Sequence, residues 1–195
     1  MSGVTVVIPT HPGREDLLLS ALASVLSQTL RPAAVIVEQD LHREGSAVVR
    51  TRALAKVTTG WTAFLDSDDL FMPEHLAVLS AAAAESGADV VYPWPEILGG
   101  TDPRPDRFGV PFDPDELRRG SYIPVTSLVR TELAQSCGGF VRPDGSDYDD
   151  WGFYLGMLDA GARFLHVPQR TWTWRHHGYG TPGTTGNTSG LASRR

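Results

Sequence analysis

Residues 60–73 read GWTAFLDSDDLFMP, Gly60 to Pro73. Trp61 to Leu65 is an apolar run with Thr and aromatics, the texture of a buried strand. It runs straight into Asp66-Ser67-Asp68-Asp69, and Pro73-Glu74 then opens a helical pattern. Carboxylates crowded at the end of a buried strand repel one another, and a hard divalent cation bound by oxygens offsets that repulsion. If the backbone stays extended, Asp66 and Asp68 project to one side and Asp69 to the other. Aspartates two apart at such a strand end present a metal, with open positions, to a diphosphate. The plainer alternative is that Asp68 or Asp69 caps the helix that begins near Pro73. An EF-hand is excluded, because Leu70 and Phe71 occupy positions that need a liganding Asp or Asn and a Gly.

The flanking segments alternate. Val4 to Ile8 (VTVVI) is a continuous apolar run, as in a strand covered on both faces. Leu18, Leu22, Val25 and Leu26 then share a helix face, with the helix ending near Gln28, and Ala34 to Val37 forms a second strand. This is a βαβ unit, which requires parallel strands and a right-handed crossover. Ser46 stands where a cap would open a helix with Val49, Ala53 and Val57 on one face. After the Gly60–Pro73 stretch a helix runs to a stop at Gly87, and Asp89 to Tyr92 is a fourth strand. The pattern predicts a single α/β domain, a mostly parallel sheet with helices on both faces.

Farther on, residues 99–120 are rich in Gly, Pro, Asp and Arg and show no apolar period, so a lid or binding loop is expected there. Tyr122 to Val129 reads as a strand, and a short helix through Leu133 stops at Cys137-Gly138-Gly139. Asp147-Tyr148-Asp149-Asp150 precedes a helix carrying Trp151, Tyr154, Leu155 and Leu158 that ends at Gly161; Arg163 to Val167 is another strand. The folded domain is expected over 1–177, with 178–195 a mobile tail of Gly, Thr, Ser and Asn.

Composition narrows the function. A net charge of −6 argues against a nucleic-acid-binding surface. No apolar run approaches membrane-spanning length, the N-terminus lacks the pattern of a signal peptide, and the lone Cys137 has no internal disulfide partner. A reducing cytoplasm is the compartment expected.

In an open parallel sheet, ligands bind beyond the C-terminal ends of the strands. Those ends are Pro9-Thr10-His11, Glu38-Gln39-Asp40 and Asp66-Ser67-Asp68. So acidic an edge suits a nucleotide diphosphate bridged by a metal. Asp40 stands either as an acceptor for a base edge or ribose hydroxyl, or as part of a solvated turn.

The chain resembles glycosyltransferase family 2, inverting enzymes of the GT-A fold. VVIPTHPGRE followed by SVLSQTLRPAAVIVEQD resembles that family's opening strand, helix and second strand, and FLDSDD its DXD motif. VRTELAQSCGGF resembles the segment ahead of its acceptor site, SDYDDWGFYLGMLDAG its acidic-aromatic helix, and WTWRHHG its C-terminal Arg/His element. The resemblance implies that Pro9, Thr10, His11 and Asp40 lie along the nucleoside pocket, with Asp66 and Ser67 near the ribose and diphosphate. It implies that Asp68 binds a divalent metal, manganese or magnesium, that His177 contacts the metal or diphosphate, and that Asp150 is the catalytic base, with Asp149 and His176 as neighbouring alternatives. The donor expected is a nucleotide-diphosphate sugar, a UDP-sugar first. The chain departs from the family at three places. Gln39 stands where an Asp is usual, Thr51-Arg52 where an Arg-Asn pair is usual (leaving Arg50 or Arg52 to face the donor), and Gly156 where an Arg is usual.

Two rival readings remain. A sugar nucleotidyltransferase needs a Gly-rich basic loop after its first strand, whereas Pro9 to Glu15 supplies one Gly and one Arg. A scaffold that binds a nucleotide sugar without turnover would keep the same pocket. Trp94 and Trp151 stand either as sugar-stacking surfaces or as packing.

Overall fold

The computed structural model describes residues 3–98, 110–140 and 149–175. In chain order the elements are β1 (Val4–Thr10), α1 (Glu15–Leu26), β2 (Ala34–Gln39), α2 (Ser46–Leu54), β3 (Trp61–Phe64), β4 (Leu70–Phe71) and α3 (His75–Ser86). They continue with β5 (Val90–Leu98), α4 (Pro114–Arg119), β6 (Leu128–Arg130), α5 (Thr131–Ser136), α6 (Asp149–Asp159) and β7 (Phe164–Arg175). The strands form one sheet in the order β2-β1-β3-β6-β5-β7-β4. β1 pairs in parallel with β2 and β3, and β5 with β7. β6 runs antiparallel between β3 and β5, and β4 antiparallel on β7. The strand direction is therefore mostly parallel, as expected, with β6 and β4 reversed.

Alternation along the strands divides the core in two. Val4, Val6 and Ile8 of β1 and Trp61 and Ala63 of β3 pack with Ala21 and Val25 of α1 and Leu76, Leu79 and Ala83 of α3. On the other face Val7 and Phe64 pack with Ala53 and Leu54 of α2, Leu117 of α4, Ala134 of α5 and Phe153, Tyr154 and Met157 of α6. Among the described residues both faces of the central strands are thus covered by helices, which leaves the strand ends open to a ligand.

Several expectations need correction. Within residues 99–120, the described part holds the helix α4. Asp113 caps it by accepting from the N–H groups of Asp115 (2.8 Å) and Glu116 (3.1 Å), Pro114 opens it, and Leu117 is fully buried. Of Tyr122 to Val129 only Leu128 and Val129 join the sheet; Tyr122, Ile123 and Val125 are buried without pairing to another strand. Helix α2 has Gly45, not Ser46, at its N-cap position. β5 runs on through Pro93 and Pro95, with register shifts on either side of Trp94. The segments Arg163 to Val167 and Trp172 onward are parts of the single strand β7.

Two local features matter later. His75, at the start of α3, is fully buried, stacks on Phe71 with centroids 3.9 Å apart, and its Nδ1 bonds to Thr171 Oγ1 at 2.8 Å. Burial pushes its imidazole pKa down to about 3. Gly139 adopts φ +72°, and a Cβ there would lie 2.9 Å from Thr51 Oγ1, the oxygen that accepts from Phe140 N–H at 2.9 Å.

Candidate active site

Parallel pairing brings the C-terminal ends of β1, β2 and β3 to one edge: Thr10 sits beside Gln39, and Val7 beside Phe64. Leu65 N–H still bonds to Val7 carbonyl at 3.0 Å, and there the strand gives way to a turn closed by Asp69 N–H on Asp66 carbonyl, 3.0 Å. Because of that turn the backbone is not extended, and the expected split of side chains does not arise. Ligand oxygens of Asp66, Asp68 and Asp69 all lie within 4.8 Å of one another. Neither Asp68 nor Asp69 caps α3, whose N-cap position is Glu74.

The three carboxylates differ in surroundings. Asp69 is buried and accepts Arg175 N–H at 2.9 Å. Burial, together with the negative charges of Asp66 and Asp68, pushes its carboxyl well above the usual range. Asp66 accepts from an Arg50 guanidinium nitrogen at 2.6 Å, and Asp68 from Arg14 Nη1 at 2.7 Å. Arg50 is itself buried and lies 5.5 Å from the Phe140 ring centroid. The sequence leaves Arg50 as one of two candidates, with Arg52, whereas it gives Arg14 no assigned role. Arg14 reaches across 54 residues, which no local pattern reveals. Arg50 and Arg52 lie two apart on α2, so they face apart, and only Arg50 faces the aspartates. Arg52 instead bonds Glu38 (2.6 Å), Glu44 (2.6 Å) and Gln39 carbonyl (3.2 Å), and Lys56 pairs with the same Glu38.

Pro9 and Thr10 are buried at the end of β1, and Thr10 carbonyl accepts Asp40 N–H at 2.8 Å. Asp40 closes the loop into α2 by accepting from the N–H groups of Glu44 (2.8 Å) and Gly45 (2.9 Å). Burial pushes its carboxyl up, but the N–H groups of Glu44, Gly45, His42 and Arg43 outweigh that and hold it below the usual range. Of the two readings of Asp40, the turn is the one with hydrogen bonds to support it. His11 is exposed, with Nδ1 2.9 Å from Pro12 carbonyl, and Ser67 is buried within the acidic turn.

Asp150 lies at the start of α6, where its Oδ1 accepts Trp151 N–H at 2.8 Å. Three residues on from Asp150, Phe153 stacks on Phe140 with centroids 4.1 Å apart, and Phe140 meets Phe64 edge-on at 4.9 Å. These rings tie α6 to the strand that delivers Asp66. Tyr154 donates to Pro124 carbonyl at 2.9 Å; burial raises its pKa, the charge of Asp150 adds to the rise, and Arg50 opposes it. Asp150 and Arg50 therefore act electrostatically on the same buried hydroxyl. Trp151 donates its Nε1–H to Leu117 carbonyl at 2.6 Å and so pins α4, a packing role. Gly156 packs against α5, with Cys137 Sγ 3.4 Å from its carbonyl. His176 and His177 lie outside the described residues, as does the segment 178–195.

A sheet of this order, covered on both faces and carrying clustered carboxylates at its C-terminal edge, defines the GT-A class of glycosyltransferase fold. Residues 35–107 match the model of Glycosyl transferase family 2, and this segment of the chain belongs to that family. The chain is 32% identical over 160 residues to the succinoglycan biosynthesis protein ExoW of Rhizobium meliloti (strain 1021), a match spanning 68% of this chain and 47% of ExoW. Among solved structures it resembles S. aureus TarS 1-349 in complex with UDP-GlcNAc, with a TM-score of 0.73 and 17% identity over 90% of this chain and 59% of that TarS chain. It also resembles the mannosyltransferase PcManGT from Pyrobaculum calidifontis in complex with GDP-Man and Mn2+, with a TM-score of 0.67 and 18% identity over 89% of this chain and 56% of PcManGT. The chain thus spans about half the length of the relatives it matches. No helix among the described residues is long and apolar enough to cross a membrane.

Proposed function

We propose that this domain is an inverting glycosyltransferase that draws its sugar from a nucleotide diphosphate, a UDP-sugar first. The observation that carries the reading is the convergence of Asp66, Asp68 and Asp69 at the C-terminal edge of a family 2 sheet. Oxygen-only donors within 4.8 Å fit a hard divalent ion such as manganese or magnesium. Asp68 would hold it, with His177 as a further ligand. Bound there, it would supply Lewis-acid neutralisation of charge on the departing diphosphate. TarS in complex with UDP-GlcNAc and PcManGT in complex with GDP-Man and Mn2+ support the same donor chemistry here.

The chain's own residues do the rest. Thr10 and the turn closed by Asp40 shape the nucleoside pocket, and Asp66, held by Arg50, borders the ribose and diphosphate. Arg52, bound to Glu38 and Glu44, buttresses that turn from outside. Asp150 takes the proton from the acceptor hydroxyl as its oxygen bonds to the anomeric carbon. The bond from that carbon to the diphosphate oxygen breaks with its electron pair on the oxygen, which inverts the centre. The domain works in the cytoplasm.

Calorimetric titration with UDP, with and without manganese, tests this. Wild type should bind UDP tightly only with the metal, and Asp68→Ala should remove the metal dependence while the protein stays folded. Equal affinity in both proteins would sink the metal assignment. Slow hydrolysis of a nucleotide sugar by wild type separates an enzyme from a binding scaffold.

A further inference from the structure

We infer that Arg14 is a built-in stand-in for the divalent ion, holding Asp68 until metal and donor arrive and then turning to the diphosphate. This rests on the donor-site reading above. Arg14 Nη1 lies 2.7 Å from Asp68 Oδ2, and the two side chains are only 18% and 20% exposed. Clustered carboxylates need compensating positive charge, and among the described residues Arg14 and Arg50 supply part of it. A divalent ion on Asp68 would draw on the carboxylate that Arg14 now holds through Oδ2, so the two positive charges compete for it.

The two arginines are not equivalent. Arg50 is set in the interior of α2, buried, with its guanidinium near the face of Phe140. It is a fixed support for Asp66. Arg14 stands at the boundary between the loop and α1, next to Gly13, whose φ of +92° turns the chain and around which a Cβ would meet nothing within 4 Å. Its side chain is less enclosed than that of Arg50, 18% against 8% exposed. Nor does it travel far: oxygens sharing one hard cation lie about 3 Å apart, since each sits roughly 2.1 Å from the ion. A guanidinium that already reaches Asp68 therefore reaches a phosphate oxygen on the same ion, and its fork suits phosphate. The first turn of α1 cannot serve instead, because it carries Glu15 and Asp16, and Glu15 already accepts Gly13 N–H at 2.9 Å.

The signature is a pair of effects of opposite sign. Manganese alone, followed by electron paramagnetic resonance, should bind Arg14→Gln about fivefold more tightly than wild type, because a partly exposed ion pair no longer competes. UDP, titrated at saturating manganese, should bind Arg14→Gln about tenfold more weakly, the loss of one charge-assisted contact. Arg14→Lys should restore the wild-type affinity for manganese alone and recover part of the UDP affinity. A merely structural Arg14 would shift both affinities the same way, and that result overturns the inference, as does an unchanged affinity in either titration. If wild type binds neither manganese nor UDP, the donor-site reading falls and the inference with it. Intact wild-type binding alongside an unaltered Arg14→Gln removes the role of Arg14 alone.

Discussion

Replacing Arg50 with methionine should destabilise the protein while keeping the volume of the side chain. Arg50 is buried, and its partner Asp66 has a side chain 31% exposed. Removing the cation leaves Asp66 beside Asp68 and the buried Asp69 with one fewer compensating charge. Breaking a fully buried ion pair costs roughly 3–5 kcal/mol, and the partial exposure of Asp66 scales this to about 2 kcal/mol. Losing the guanidinium near the Phe140 ring adds about 0.5 kcal/mol. Together that is about 2.5 kcal/mol, or roughly 5–10 °C in Tm for a chain of this size. Urea unfolding at pH 7 measures it, and a cycle with Asp66→Asn isolates the pair. In the Asp66→Asn background, Arg50→Met should cost about 1–2 kcal/mol less than in wild type. If Arg50→Met shifts stability by less than about 0.5 kcal/mol, the level of an ordinary surface change, Arg50 is not the support for the acidic turn.

Three further outcomes follow from the same structure. His75 has a pKa of about 3 when folded, below the unfolded value of about 6.5, so the unfolded chain takes up the proton first. Its contribution to stability is fully present above pH ~6.5 and is lost progressively as the pH falls toward ~3, on the order of a few kcal/mol, and His75→Asn should flatten that slope in urea titrations. Asp150→Asn should bind donor as wild type does and lose transfer by on the order of a hundredfold, measured by product formation. Transfer retained there but lost in Asp149→Asn would move the base by one residue. Gly139→Ala forces an alanine to positive φ against Thr51 and should cost about 2 kcal/mol by chemical denaturation, whereas no change would mean that loop relaxes freely.

The parts of this fold that were legible in sequence are those with long apolar periods. VTVVI and WTAF became strands because a strand buried on both faces needs a continuous apolar run, while AVIV became a partly exposed edge strand. β4 was not legible: Leu70–Phe71 is a strand only because β7 offers it partners a hundred residues away. The reversal of β6 was equally hidden, since an apolar run carries no direction. Helix α4 did leave a signal, Asp113-Pro114 followed by acidic and then basic residues, but the surrounding Gly and Pro masked it. At the site, the aspartates were readable as a string because they are neighbours in sequence. Arg14 and Arg50 were not, because their roles depend on which helix face and which loop the fold turns toward Asp66 and Asp68.

The hydrogen bond from Arg175 N–H to Asp69 spans 106 residues. It has a consequence for the order in which the molecule is made. β7 sits between β5 and β4, so the acidic turn is not braced until the chain has been synthesised through Arg175. At about 5–20 residues per second, a ribosome takes on the order of ten seconds to travel from Asp69 to that point. A nascent chain throughout that interval carries its aspartates on an unfinished edge, with Phe71 lacking the Trp172 it will pair with. The earliest βαβ unit can fold while still attached to the ribosome, but the acidic edge is a late product of long-range closure.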